Sequence, residues 1–166
     1  MLSKLIISDL HLTNVELDKV KLFENFCNEQ ASKVDQLFIL GDLFNSWIGD
    51  DASLASYKVI TLILKDLSEK TNVFVMAGNR DFLLSKNFEK ESGCKLIKEP
   101  FELEHNSKKY LLIHGDSLCT DDINYQKLKK VLRSPIIQFI FLNLSKNTRL
   151  KLTGQLRKKS IEAQAY

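Results

Sequence analysis

Four short runs hold most of the side chains that could do chemistry. Asp9-Leu10-His11 sets a carboxylate and an imidazole two residues apart, on one side of an extended chain. Gly41-Asp42 adds a second carboxylate, Gly78-Asn79 an amide oxygen, and His114-Gly115-Asp116 a second imidazole and another acid. Asp-x-His alone says little, because acid and histidine neighbours are common on surfaces. Carboxylate, amide and imidazole together suit Mn, Fe, Zn or Mg better than a thiolate-bound metal. Two such ions held close together can clamp a phosphoryl group and acidify a water for attack on it. The competing reading is that each acid merely caps the helix after its strand, which suffices for one site but is strained for four.

The elements that must position these groups alternate. Apolar runs at Lys4–Ile7, Gln36–Leu40 and Val73–Met76 predict strands, with shorter ones at Lys95–Ile97 and Phe101–Glu104 and another at Lys109–Ile113. Helices are expected from about Leu17 to Ser32, with Val20, Phe23 and Phe26 spaced by three, and from Ser53 to Ser68, with Tyr57, Ile60, Leu64 and Leu67 on one stripe. This rhythm predicts an α/β fold. Asp9, Asp42, Asn79 and His114 each follow the carboxyl end of a predicted strand, the edge where open α/β sheets bind ligands.

Composition excludes several classes. At 44% hydrophobic, with 6 Gly and 2 Pro in 166 residues, the chain is neither disordered nor collagen-like. Three scattered cysteines do not make a disulfide framework and favour a reduced, cytosolic setting. The N-terminal apolar run stops at Ser8-Asp9, so no signal pattern is read there, and no stretch approaches the roughly 20 apolar residues of a membrane span. The net charge of +3 conceals a division: the last 41 residues carry +9, with Glu162 their only acid, and the first 125 carry −6. That basic end contains the apolar run Pro135–Leu142 between helical stretches at Tyr125–Arg133 and Leu150–Ala165. An apolar run flanked by Lys and Arg suits a membrane interface, and it equally suits a core helix beside a solvated face. Nucleic acid is disfavoured, because Phe139 and Phe141 are embedded in aliphatic sequence rather than interleaved with basic residues.

In this order, Asp9-x-His11, Gly41-Asp42, Gly78-Asn79-Arg80-Asp81 and His114-Gly115-Asp116 resemble the calcineurin-like metallophosphoesterases. The longer blocks Ser8–Leu12, Leu40–Asp51, Gly78–Leu84 and His114–Asp122 are similar to the branch of that family that hydrolyses UDP-2,3-diacylglucosamine in lipid A biosynthesis. Arg80 narrows the match, since many family members have His after the Gly-Asn pair and this branch has Arg. The resemblance runs from residue 2 to about 165. It implies an αββα sandwich, with the core in residues 1–124 and a basic, apolar helical lid in 125–166. It implies hydrolysis of the pyrophosphate bond to UMP and 2,3-diacylglucosamine 1-phosphate, with Asp42, Asn79 and His114 catalytic. Two Mn²⁺ ions are implied, one on Asp9 and His11, the other on Asn79 and His114, with Asp42 bridging. Asn79, Arg80, Asp122, Ser160 and Gln164 are implied as substrate contacts, Gln164 where an amide residue, often Asn, is expected. The implied location is peripheral, on the cytoplasmic side of the inner membrane, with a lipid substrate and no nucleic acid.

One part of the family pattern is missing. Family members end their site with Gly-His-x-His, whereas the histidines here are His11, His105 and His114. His105 is expected in a surface turn. The chain is therefore expected to be cut short, with an incomplete second sheet, reduced activity and self-association through uncovered apolar faces. Two alternatives stay open: a metal- or lipid-binding fragment, and another dinuclear phosphoesterase.

Overall fold

A computed structural model describes the backbone of residues 2–164 and the side chains through 158. The chain divides into two compact units, Met1–Asp121 and Asp122–Tyr166. In the first, Lys4–Ile7 (β1), Gln36–Leu40 (β2), Asn72–Met76 (β3) and Lys95–Ile97 (β4) form a parallel sheet in the order β1-β2-β3-β4. Parallel neighbours need crossover connections, supplied by Leu17–Glu29 (α1) between β1 and β2, and by Asp50–Ser56 (α2) and Lys58–Ser68 (α3) between β2 and β3. Lys86–Ser92 (α4) leads into β4.

Alternation along the strands makes two apolar faces. Leu37, Ile39, Val73 and Val75 are buried on one; α3 packs against β3, and α1 against α3. Val20, Phe23 and Cys27 of α1 and Ile60, Leu64 and Leu67 of α3 are buried with them. On the other face, Phe38 and Met76 meet Leu112, with Leu40, Phe74, Ile97, Phe101 and Leu103 packed around them. The last of these belong to an antiparallel pair, Phe101–His105 (β5) and Lys108–Leu112 (β6). Asn106 and Ser107 join the pair, both at positive φ (53° and 60°), as a two-residue hairpin requires. The fold is α/β, with a parallel sheet facing a two-stranded one. Ile6 on edge strand β1 is 47% exposed beside buried Phe38, and Leu111 of β6 is 60% exposed.

Several boundaries differ from the sequence reading. The expected helix 17–32 stops at Glu29, and Ala31–Lys33 is a 3-10 turn. The expected helix 53–68 begins earlier, at Asp50, and breaks at Tyr57, whose ring stacks on Trp47 with centroids 5.7 Å apart. α4 had no periodic signal because Phe88 is its one buried apolar residue. His105 closes β5 rather than lying in a turn, and Lys4 Nζ donates to its Nδ1 at 3.1 Å.

The second unit is helical: Ile123–Leu132 (α5), Pro135–Leu142 (α6) and Lys146–Gln164 (α7). Pro135 opens α6, where its missing N–H costs nothing. α7 begins four residues before the expected Leu150, and Ser145 caps it by accepting from Thr148 N at 3.2 Å. Ile136 and Phe139 of α6 are 70% and 71% exposed. No described helix is long and apolar enough to cross a membrane.

Candidate metal centre

Three parallel strands, β1, β2 and β3, send their carboxyl ends to one edge, and the segment after β6 joins them from the second sheet. The chains following β1 and β2 run side by side. Asp9 N donates to Gly41 O (3.2 Å), His11 N to Asp42 O (2.9 Å), Leu12 N to Leu43 O and Asn45 N to Leu12 O (both 2.9 Å). Asp9, His11 and Asp42 all adopt positive φ (56°, 48° and 51°). This conformation is uncommon outside glycine, costs free energy, and is concentrated at functional sites. Here the backbone bonds between the two loops hold it in place.

Asp42 lies at the centre, 2% exposed. His11 Nδ1 is 3.7 Å from its Oδ2, and His114 Nε2 is 3.9 Å from its Oδ1. Asp9 Oδ1 lies 4.0 Å from His11 Nε2. One ligand atom from each of Asp9, Asp42 and His114 falls within 4.8 Å of the others. These gaps exceed hydrogen-bond length. The pairs at 3.7–4.0 Å lie within the roughly 4.4 Å reach of two donors that share one cation at about 2.0–2.2 Å from each. His114 Nδ1 donates to Leu40 O at 3.0 Å, which turns Nε2 toward Asp42. A backbone carbonyl on the far nitrogen is the usual way to orient a ligating imidazole. The donor set therefore fits a divalent cation.

Two glycines make the convergence possible. A Cβ on Gly41 would lie 2.2 Å from His114 Nδ1, and one on Gly78 would lie 2.2 Å from Asp42 Oδ1 and 2.4 Å from Asp42 N.

Around this centre the loops after β2 and β3 are joined by buried acids that sequence reasoning did not single out. Asp81, fully buried, accepts from Gly78 N (2.7 Å) and Phe44 N (3.2 Å). Burial first, and then the charge of Asp42, push its carboxyl up to about 6, against the pull of these N–H donors. Asp50 accepts from Trp47 Nε1 (2.9 Å), Ser85 N (3.2 Å) and Phe88 N (3.0 Å), so it caps α4 from 38 residues away. Phe44, Trp47, Tyr57 and Phe88 pack their rings beside it, with Phe44 and Trp47 centroids 4.6 Å apart. The available signal was the unbroken acid-containing blocks Gly49-Asp50-Asp51 and Arg80-Asp81 beside the ligand motifs.

The sequence-derived residues divide as follows. Asp9, His11, Asp42 and His114 converge. Arg80 joins them, its N donating to Asp42 Oδ1 (2.9 Å) and its Nε lying 3.6 Å from Asp42 Oδ2. Asn79 is exposed between Gly78 and Arg80. Asp122, in the second unit, caps α5 by accepting from Tyr125 N at 2.9 Å. Ser160 and Gln164 fall on α7, and their side chains lie outside the described residues.

The family described as Calcineurin-like phosphoesterase matches residues 3–152. Proteins named UDP-2,3-diacylglucosamine hydrolase are among the similar ones. That of Pseudomonas fluorescens Pf0-1 is 45% identical over 157 residues, covering 94% of this chain and 63% of the relative. That of strain SBW25 is 43% identical over the same shares. The Pseudomonas aeruginosa PAO1 protein is 41% identical over 160 residues, covering 96% of this chain and 67% of the relative. The chain thus spans about two thirds of the length of the curated relatives it matches. With the family match extending over nearly the whole chain, and its ligand motifs converging on one carboxylate, the chain belongs to the calcineurin-like phosphoesterases, a family of metal-dependent hydrolases.

Proposed function

We propose that this chain serves the hydrolysis of the pyrophosphate bond of UDP-2,3-diacylglucosamine, giving UMP and 2,3-diacylglucosamine 1-phosphate. The observation that carries the reading is the position of Asp42. Its two oxygens face different imidazoles, Oδ2 toward His11 and Oδ1 toward His114. A carboxylate so placed can serve two cations at once and offset their mutual repulsion. Asp9 and His11 would then hold one Mn²⁺, Asn79 and His114 the other, and Asp42 both. When bound, such ions supply Lewis acidity, neutralising charge on phosphoryl oxygens and lowering the pKa of water.

The chain's own groups do the rest. The hydrogen bond to Leu40 O fixes which nitrogen His114 presents. Arg80, anchored through its backbone to Asp42, offers a planar guanidinium whose paired donors suit phosphate oxygens. Hydrolysis breaks the bond between the bridging oxygen and one phosphorus and joins water oxygen to that phosphorus. Two phosphate monoesters result. The exposed apolar side chains of α6, within a unit rich in Lys and Arg, support contact of that unit with the cytoplasmic leaflet of the inner membrane.

Release of UMP from UDP-2,3-diacylglucosamine by the 166-residue chain tests the reading. Mn²⁺-dependent release that falls at least a hundredfold in Asp42→Ala is expected. Manganese bound with no release would reduce the chain to a binding role, and release indifferent to Asp42 would overturn the assignment.

A further inference from the structure

We propose that Asn45 is a positioning residue for the Arg80 guanidinium and so determines which N–H bonds the site presents to a substrate phosphate. The inference rests on the reading of Arg80 as a phosphate contact. Arg80 is clamped at its backbone on both sides: its N donates to Asp42 Oδ1, and its O accepts from Trp47 N at 3.0 Å. Its side chain is 36% exposed and could in principle rotate freely. Two contacts restrain it. Nε faces Asp42 Oδ2 at 3.6 Å, and Nη1 donates to Asn45 Oδ1 at 3.1 Å.

A guanidinium is a rigid plane with five N–H donors. Fixing its Nε side and Nη1 fixes the plane, and with it the direction of Nη2, which has no hydrogen-bond partner among the described residues. Asn45 can impose this because it is held itself. It is half-buried, its N donates to Leu12 O at 2.9 Å, and its neighbour Phe44 is bound through N to Asp81. Through its backbone N–H and its side-chain Oδ1, Asn45 thus joins the loop that carries His11 to the arginine of the loop after β3. It does so with an uncharged acceptor, so the positive charge stays available to an anion.

The test is nuclear magnetic resonance on the full 166-residue chain, with the signal of the Arg80 Nη1–H that meets Asn45 assigned through Arg80→Lys. The wild type should show a resolved, exchange-protected signal. Asn45→Leu should move it to the position of solvent-exposed arginines, and Asn45→Asp, which keeps an acceptor, should retain it. In parallel, inorganic pyrophosphate is titrated with Mg²⁺ present, and Asn45→Leu should weaken its affinity roughly tenfold. An unchanged Arg80 signal in Asn45→Leu overturns the proposal. Loss of the signal in both Asn45 variants also overturns it, since Asn45 would then act through loop packing. If Arg80→Lys weakens pyrophosphate binding and Asn45→Leu does not, the Asn45 inference alone fails. If neither weakens it, or the wild type binds none, the phosphate reading of Arg80 fails with it.

Discussion

The two units of the molecule use charge in opposite ways. In the first, Asp42, Asp50 and Asp81 are buried, and each accepts a backbone N–H from a distant segment. In the second, the described basic side chains are mostly exposed, buried Arg149 apart, and flank in sequence the apolar helix α6, whose side chains are mostly exposed too. Buried acids need partners and so fix geometry. Exposed lysines beside exposed Ile and Phe fix little and act through surface. A substitution in the first unit should therefore have a large and sharply localised effect, and one in the second a graded effect.

The largest effect is expected at Gly78. In Gly78→Ala the new Cβ meets both the carboxylate and the backbone of Asp42, and a backbone atom cannot swing aside. Calorimetric Mn²⁺ titration should show affinity falling a hundredfold or more, with a destabilisation of about 1–3 kcal/mol from overpacking. Asp81→Ala comes next. It strands the N–H groups of Gly78 and Phe44 in the interior and should cost about 2–6 kcal/mol in denaturant melts, given about 1–3 per unsatisfied buried group.

Asp81 also predicts a pH dependence. Its carboxyl is raised from 3.8 to about 6, so folding takes up a proton between those values. Its contribution to stability is full below about pH 4 and is lost as the pH rises through 6, by up to about 3 kcal/mol. Metal-free melts from pH 4 to 7 should show this slope in the wild type and not in Asp81→Asn. The smallest effects belong to the second unit. Phe139→Ser should weaken binding to anionic vesicles several-fold, and substitution of the exposed Lys130, Lys130→Gln, by about 1 kcal/mol or less. Both should leave Mn²⁺ affinity unchanged; equal losses in both assays would erase the contrast between the units.

Much of this was legible in the sequence because it is local. The β-rich apolar runs ending in Asp9, Asp42 and Asn79 gave the parallel strands and the edge they share, and His114 followed from the strand before it. What was not legible depends on long-range contacts. α4 exists because Asp50 caps it from another loop. The break at Tyr57 reflects its ring stacking on Trp47. Asp81 and Asn45 stood inside the family blocks, but their partners emerge only when the loops after β1, β2 and β3 are brought together. The glycines stood beside the ligand motifs in the sequence, but only the fold shows which atoms they make room for.

The central claim is that Asp42 joins the two halves of one metal centre, and manganese stoichiometry measured by mass spectrometry and electron paramagnetic resonance tests it most directly. The account predicts two spin-coupled Mn²⁺ ions per wild-type chain, and in Asp42→Ala a loss of the coupling with at least a hundredfold weaker binding. Unchanged manganese content and spectrum in Asp42→Ala would contradict it.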